Sequence, residues 1–415
     1  MLGHWIWLAT RPGMTDRMKN EVLRRFRDPE DAYYARAFEG VSELTPEARE
    51  ALTDKDLTGA EKVLSQCAEK GIHILTIHDG AYPNRLKNIP DPPVVLYYKG
   101  TLPNLDDLPV IAVVGTRKAS PYGLTMAKRL GYQLASCGGT VVSGLAYGID
   151  GVAMAGALSA GGMVVGVLGS GADIVYPASN RSLFADAERR GCLLTEFPPG
   201  TPPHKWNFPK RNRIISGLCC GVLVVEAPKR SGALITARQA AEQGRDVFVL
   251  PGNADSPTCQ GSNALLRDGG ICVSSGWDVL SEYEALYPGK LHKEGEGNRL
   301  VAYPDEVVRA AAEEERPVPK VAQKPRRLLK TRAKKPMKDK KVIDKQENPP
   351  YSDVETGPLD ETERTIVELL RQGDRLRDDV IAASGLDTGK VLSVLTLLEI
   401  KGIIRRLPGN RLSLK

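Results

Sequence analysis

Short apolar runs bounded by glycine recur through the middle of the chain. They begin at Val110 and read VIAVVG, TVVSG, MVVGVLG, CLLTE, GVLVVEA, DVFVLPG and ICV. Unbroken apolar runs of this length are typical of strands that are covered on both faces. Because amphipathic stretches separate them, the pattern predicts an α/β fold, a doubly wound and mostly parallel Rossmann-like sheet with helices on both sides.

The amphipathic stretches carry clear helix boundaries. Ser120 can cap a helix that Pro121 opens, and Gly138 ends it. Near the start of the chain, TDRMKNEVLRRFRD, TPEAREALT and GAEKVLSQCAEKG space their apolar residues three and four apart. We therefore predict a helical domain over residues 1–85 and the sheet domain over residues 86–285.

The last third of the chain divides into a linker and a small domain. Residues 286–357 lose the periodicity and are rich in Pro and Lys, which predicts a basic, disordered linker. In residues 358–415, three helical patterns precede a hairpin with PGN at its turn. This order predicts a winged helix-turn-helix domain, in which Arg405, Arg406 and Arg411 of the wing are candidates for phosphate contacts.

The charge of the chain is unevenly distributed. The net charge is +6, but residues 316–345 alone carry 13 Lys and Arg against two Asp, which leaves −5 for the rest. Global charge is therefore weak support for nucleic-acid binding by the folded domains. The seven cysteines show no metal-ligand spacing, and neither a signal peptide nor a membrane span is visible. We expect a cytoplasmic protein without a metal or a membrane partner.

Four Gly-rich loops follow predicted strands, where open α/β sheets bind ligands. In the first loop, the N–H groups of Gly115 and Thr116 and the guanidinium of Arg117 are expected to face a phosphate at a helix start. The second loop opens with Ser143 and Gly144, which we include in the predicted site. The third, VLGSGADIVYP, lacks the third glycine and the acidic residue that a dinucleotide needs, so no cofactor is expected.

The chain shows no motif for a catalytic nucleophile. It lacks GxSxG and GxxxxGKS, and its five histidines are scattered. Capping or ion pairing accounts for the acidic loop residues Asp150, Asp173, Glu196 and Glu226. These observations weigh against an enzyme.

The stretch PPHKWNFPKRNRIISGL combines rings with cations. A Pro-rich loop carries His204, Lys205, Trp206 and Phe208, and a helix start carries Lys210, Arg211, Asn212 and Arg213. Ring faces for bases and positive charge for the backbone are what a single-stranded nucleic acid requires. The alternative interpretation is that the two rings are half-buried plugs and that Arg211 or Arg213 pairs with Glu196 or Glu226.

These motifs together resemble a known family. GTRKASPYG, VSGLAYGIDGVAM, VLGSGADIVYPASNRSL, FPKRNRIISGL, SGALITARQAAEQGRDVFVLPG and NALLRDGG are similar, in this order, to the DNA-processing protein A family, DprA or Smf. The resemblance spans about residues 78–282. It implies a helical SAM-like domain, an extended Rossmann fold and a winged-helix domain. It also implies single-stranded DNA binding, loading of the RecA recombinase during natural transformation, and a homodimer.

Site residues follow from the same resemblance. The family's DNA-binding arginine falls on Arg117, its lysine and phenylalanine three apart fall on Lys205 and Phe208, and its RNR motif on Arg211, Asn212 and Arg213. Leu265 and Leu266 become candidates for the dimer interface, with core packing as the alternative.

Two other functions stay open at this point. A phosphoribohydrolase-like, nucleotide-binding enzyme of the Lonely Guy group shares a similar Rossmann variant, but the comparable loop here reads APKRSGALITARQA and lacks the required glutamate. A transcription factor that acts through the winged helix would bind duplex DNA without the RNR loop.

Overall fold

The computed structural model describes residues 1–38, 40–293, 360–371, 373, 375–386, 391, 394–395, 398, 403–407 and 411–414. They belong to two compact units, which are described separately, one within residues 1–293 and one that begins at Asp360. The predicted linker lies outside the described residues from residue 294 onwards, as does most of the predicted third helix of the winged-helix domain. The predicted domain boundaries stay predictions.

Five helices, joined by turns and irregular segments, make up most of the described chain before Ile72. Thr15 and Thr45 cap two of the helices, each accepting a hydrogen bond from a backbone N–H three residues later, and Gly71 ends the last one in the left-handed region. The helices are α1 Leu2–Thr10, α2 Asp16–Phe26, α3 Pro29–Tyr34, α4 Pro46–Thr53 and α5 Thr58–Lys70.

A nine-stranded sheet follows, in the order β1-β2-β6-β5-β4-β3-β7-β8-β9. Strands β3 to β9 run parallel to one another, and β1 and β2 add an antiparallel edge beside β6. The predicted doubly wound, mostly parallel sheet is confirmed. The strands are β1 His73–Thr76, β2 Val95–Gly100, β3 Val110–Val114, β4 Thr140–Ser143, β5 Val164–Val167, β6 Gly191–Thr195, β7 Gly221–Val224, β8 Asp246–Val249 and β9 Ile271–Cys272.

Helices cover both faces of this sheet. The predicted helix after β3 is α7, and the hydroxyl of Ser120 accepts a hydrogen bond from the N–H of Gly123. The helices of this part are α6 Asn84–Lys87, α7 Pro121–Ser136, α8 Ile149–Ser159, α9 Arg181–Arg190, α10 Asn207–Leu218, α11 Gly232–Glu242, α12 Gln260–Arg267 and α13 Gly276–Leu280.

The two faces of β3 belong to two separate hydrophobic cores. Ile111 and Val113 pack in the core beneath α7, α8 and α9, whereas Val110, Ala112 and Val114 pack in the core of the opposite face. The second core includes α10 and extends without a break into helices α1–α5. The N-terminal helices are therefore packed onto the sheet, and α10 is held between them and β3.

The second unit contains helices Glu361–Arg371 and Arg377–Ser384. Strands β10 Arg375–Leu376, β11 Ile404–Leu407 and β12 Arg411–Leu414 form its sheet in the order β10-β12-β11. This is the predicted winged-helix domain, with an additional short strand, β10, before the second helix. Arg405 and Arg411 are exposed on the wing. In the described part of the chain, no helix is both long enough and apolar enough to cross a membrane.

Candidate nucleic-acid interface

The strand order defines the position of a ligand crevice. The chain passes from β3 outward through β4 and β5 to β6, and then returns to β7 on the other side of β3. In open α/β sheets, ligands bind outside the carboxyl ends of the strands at such a reversal. The loops that follow β3 and β7 form this crevice, and Arg117 lies in the first of them.

Carboxylates of the chain itself occupy the helix start in this crevice. The N–H of Thr116 donates to the backbone carbonyl of Glu226 at 2.7 Å, and the N–H and hydroxyl of Ser120 donate to the Glu226 carboxylate at 3.0 and 3.1 Å. The N–H groups of Gly115 and Gly144 donate to Asp150 at 3.3 and 3.2 Å. Each of these amides already donates within the chain, so their expected contact with a phosphate stays a prediction.

Asp150 is buried between the two loops. Burial raises the pKa of its carboxyl, and the positive charges of Arg211 and Arg117 oppose that rise. The hydroxyl of Ser143 is also used internally, since it donates to the carbonyl of Val113 at 2.6 Å. Ser143, like the amides, supports the loops and is not part of an exposed surface.

Gly148 brings the loop after β4 against the loop after β3. Its φ is +74°, and a Cβ at this position would lie 2.4 Å from the carbonyl oxygen of Thr116. Only glycine combines that backbone conformation with that close approach. The contact fixes the backbone on which Arg117 stands.

An exposed cation and two rings converge beside the crevice. The Cζ of Arg117 lies 5.0 Å from the ring centroid of Phe208, and the ring of Tyr176 lies 5.6 Å from the same centroid. Phe208 in turn covers Gly169, where a Cβ would approach the ring to 2.9 Å. Arg117, Tyr176 and Phe208 form what we call the Arg117–Phe208 surface. A guanidinium over a ring face is a favourable arrangement, and it leaves the group available to a phosphate.

Sequence reasoning did not single out Tyr176. The sequence nevertheless contained a signal for Tyr176 as a site residue. Tyr176 lies in VLGSGADIVYP, the loop that follows β5, on the same edge of the sheet as Arg117. The carboxyl ends of parallel strands meet at one edge, so an aromatic residue in that loop was a candidate.

Lys205 is exposed in the loop before α10 and makes no ion pair with any residue that the structure describes. The neighbouring ring of Trp206 is 71% exposed and that of Phe208 is half-buried, so the plug interpretation fits Phe208 but not Trp206. Asn212 is buried and donates to the carbonyl of Gly232 at 3.3 Å. In the loop before the RNR segment, Lys205 is therefore an exposed cation that is free to meet a ligand.

Arg211 is buried under the second loop. Its guanidinium donates to the carbonyl of Gly144 at 3.1 Å and to the carbonyl of Val167. Burial lowers the pKa of Arg211 to about 10, against the opposing charge of Asp150. Arg211 thus holds the loops after β4 and β5 together from inside the protein, and its DNA contact stays a prediction.

Arg213 and Lys210 belong to a charge cluster that joins α10 to the N-terminal helices. Arg213 lies 2.9 Å from both Asp16 and Glu196, and Lys210 lies 2.9 and 3.0 Å from the same two carboxylates. We call these four residues, with Lys19 beside Asp16, the junction cluster. The alternative pairing of Arg213 with Glu196 is confirmed, and the DNA contact of Arg213 stays a prediction.

The pKa values in the junction cluster follow from mutual attraction. Burial alone would raise the pKa of Asp16, but the charges of Lys19, Arg213 and Lys210 outweigh it and lower that pKa to about 2. Burial opposes the charged forms of Arg213 and Lys210, yet their carboxylate partners raise both pKa values. Lys210 remains partly exposed, at 41% of its side chain, and is the member of the cluster that a ligand can reach.

A cavity of about 250 Å³ lies between the N-terminal helices and the sheet, away from the Arg117–Phe208 surface. Asp16, Lys19, Glu196 and Lys210 line it together with Phe197. Its charges are already paired with one another, so it does not offer a free recognition group. Among the described residues, no His, Cys, Asp and Glu side chains cluster in a way that could hold a metal ion.

Leu265 and Leu266 lie on α12 and are both partly buried. Leu265 packs against the core that contains α10 and α11. Core packing therefore accounts for the buried part of the Leu265 side chain. The dimer contact of Leu265 and Leu266 stays a prediction.

Comparison with known proteins shows the class of protein to which this chain belongs. Residues 73–284 match the family described as DNA recombination-mediator protein A, and residues 350–410 match the DprA winged helix domain. The protein Smf of Synechocystis sp. is 34% identical over 354 residues, which cover 84% of this chain and 81% of that protein. The DNA processing protein DprA of Bacillus subtilis is 42% identical over 221 residues, 53% of this chain and 74% of that protein.

A solved structure supports the same class. The X-ray structure of DNA processing protein A from Streptococcus pneumoniae matches with a TM-score of 0.60 and 35% identity, and covers 68% of this chain and 98% of that one. Fold and comparisons define a Rossmann-like α/β protein of DNA processing with a C-terminal winged helix. The chain belongs to the DNA recombination-mediator protein A family, DprA or Smf. The family resemblance drawn from the motifs is confirmed.

Proposed function

We propose that the chain binds single-stranded DNA on the Arg117–Phe208 surface together with Lys205. The observation that carries the proposal is the guanidinium of Arg117 at 5.0 Å from the Phe208 ring, both at the edge of the sheet where the strand order reverses. A base can stack on the ring while the guanidinium meets the adjoining phosphate. Stacking accepts any base, so the binding is expected to be independent of sequence.

The preference for single strands has a physical reason. A base in a duplex is stacked on both faces and cannot lie flat on Phe208 unless it is taken out of the helix. Unstacking and unpairing one base costs roughly a few kcal/mol. Lys205 and Arg117 alone would attract either form of DNA, because phosphates are common to both. The ring therefore provides selectivity and the two cations provide the salt-dependent part of the affinity.

The role in the cell follows from the family. Its description as a recombination mediator supports a protein that holds incoming single-stranded DNA in the cytoplasm and loads RecA recombinase onto it during natural transformation. We further propose that the chain acts as a homodimer in which Leu265 and Leu266 contribute to the contact. The junction cluster keeps α10, and with it Phe208, fixed relative to the N-terminal helices.

The binding proposal is tested by fluorescence anisotropy with a labelled poly-dT oligomer and a matched duplex, across a salt series. The wild-type chain should prefer the single strand. Arg117→Ala with Lys205→Ala should lower the salt slope by about 0.7 for each lost phosphate contact. A matched control removes two exposed cations elsewhere, Lys62→Ala with Arg129→Ala, and should leave the slope nearly unchanged.

Two results would overturn the proposal. Equal or stronger binding to the duplex, unaffected by the double substitution, would move DNA binding to another part of the chain. An equal loss of slope in the control pair would mean that charge anywhere on the surface suffices. RecA loading is measured separately as the lag of RecA filament formation on poly-dT, which the wild type should shorten and the double variant should not.

A further inference from the structure

The proposed surface leaves one exposed pair of rings unused. Trp206 is 71% exposed, and its ring stacks on that of His204 with 4.6 Å between centroids and an interplanar angle of 14°. His204 is exposed as well. A large apolar ring held flat by a neighbour and left open to water on its other face is shaped for a further planar group.

The direction of Trp206 differs from that of Phe208. Trp206 immediately precedes α10 and has helical angles, φ −74° and ψ −18°, so positions along the helix can be compared with it. Residues two apart point about 200° from each other around a helix, whereas residues four apart share a face. Phe208 lies against Arg117, so the helical spacing directs Trp206 away from that contact, to the side of Lys210.

We propose that the His204–Trp206 pair is a second base-stacking platform for the same DNA strand. The inference rests on the proposed function and deepens it, because it adds a contact on the opposite side of α10 from Phe208. Lys205 lies between His204 and Trp206 in the sequence, three residues before Phe208, and its exposed ammonium is placed to meet the phosphates that link the two stacked bases. On the Trp206 side of α10, the partly exposed ammonium of Lys210 adds further positive charge for the backbone of the strand.

His204 makes this platform more effective than a lone tryptophan. A ring that is already stacked has lost its rotamer freedom before the ligand arrives, so binding a base requires less ordering of the side chain. The observed pair is nearly parallel, and a base added to the free face of Trp206 would extend a stack of planar groups. The ligand is thus a nucleobase of a single strand, accepted without regard to its identity.

Tryptophan emission reports directly on this platform. Trp5 and Trp7 are buried among the N-terminal helices, and Trp277 packs partly against the sheet core, so Trp206 is the tryptophan most open to a ligand. Poly-dT should quench the emission component that is lost in Trp206→Phe. Trp206→Ala should weaken poly-dT binding by at least about fivefold, the lower end of one stacking contact. Trp206→Phe, which keeps a ring, should retain most of the affinity.

A matched control is Tyr34→Ala, which removes a ring that is 69% exposed and also lies against another ring, that of Tyr33. This variant should bind poly-dT as the wild type does. Circular dichroism and thermal melting should show that Trp206→Ala folds normally.

The outcomes separate this inference from the proposed function. If the wild type binds poly-dT and Phe208→Ala weakens it, but Trp206→Ala does not and no quenching occurs, the second platform is refuted and the proposed function stands. If the wild type does not bind poly-dT, both fall. If Trp206→Ala changes the oligomeric mass instead of DNA affinity, Trp206 contacts another protein chain and the inference is overturned.

Discussion

Replacing Asp16 by asparagine removes one negative charge from the junction cluster and leaves the volume of the side chain almost unchanged. Asp16 is 7% exposed and lies 2.9 Å from both Arg213 and Lys210. The substitution therefore tests whether the cluster stabilises the attachment of the N-terminal helices to α10. It touches none of the residues of the Arg117–Phe208 surface.

The size of the effect follows from the pKa of the carboxyl. A group whose pKa falls from 3.8 to about 2 on folding contributes about 2 kcal/mol to stability at neutral pH. Because the folded pKa is the lower one, this contribution is fully present above pH 4 and is lost as pH falls through 2. About half of it remains at pH 3 by the same relation.

The assay is urea unfolding of the full chain, followed by the emission of Trp5 and Trp7, which are buried among the N-terminal helices. Asp16→Asn should unfold more easily than the wild type by about 2 kcal/mol from pH 7 to pH 5, and the difference should shrink below pH 4. A control is Glu50→Gln, an exposed carboxylate on α4, which should change stability by less than about 0.5 kcal/mol. Equal stability of Asp16→Asn and wild type at pH 7, or a difference that persists undiminished to pH 3, would refute the reasoning.

Three other substitutions address the DNA surface, its support and the dimer. Phe208→Ala should weaken poly-dT binding by about 1–3 kcal/mol without changing the salt slope, and a double-mutant cycle with Arg117→Ala should give a coupling of about 0.5–1 kcal/mol in anisotropy titrations. Gly148→Ala places a Cβ 2.4 Å from the Thr116 carbonyl at a φ of +74°, so thermal melting should show a loss above about 2 kcal/mol and poly-dT binding should weaken. Leu266→Glu should convert a dimer into a monomer in light scattering while the circular dichroism spectrum is kept.

Each of these has a result that contradicts it. Additive effects of Phe208→Ala and Arg117→Ala would mean that the ring and the guanidinium act independently. A Gly148→Ala variant with unchanged melting would show that the loops can move apart without cost. An unchanged mass for Leu266→Glu would leave α12 outside the dimer contact.

The sequence predicted the strands and helices whose pattern lies within one short segment of the chain. All seven apolar runs from Val110 onward became strands of the sheet. For β3 to β7 the reason is that a strand covered on both faces is mostly apolar along its length, whereas the two residues of the edge strand β9 are exposed. Helix α7 was predicted with its cap, since Ser120 and the N–H of Gly123 are neighbours in any helix that starts there. Helices α1 and α3 were not predicted. The apolar run of α1 is buried nearly all round, which hides the periodicity of a helix.

The sequence by itself determined the fold class, the family and the segments from which the DNA surface is built. It could not separate the arginines that are free from those that are used within the chain. Arg117, Arg211 and Arg213 have the same chemistry, and each stands at the carboxyl edge of the sheet or near it. What distinguishes them is a partner such as Asp16, which is 197 residues from Arg213 in the chain and 2.9 Å away in space. Only the tertiary structure decides such pairs, because an ion pair depends on which side chains the packing brings together, whereas strands and helices depend on the spacing of neighbours along the chain.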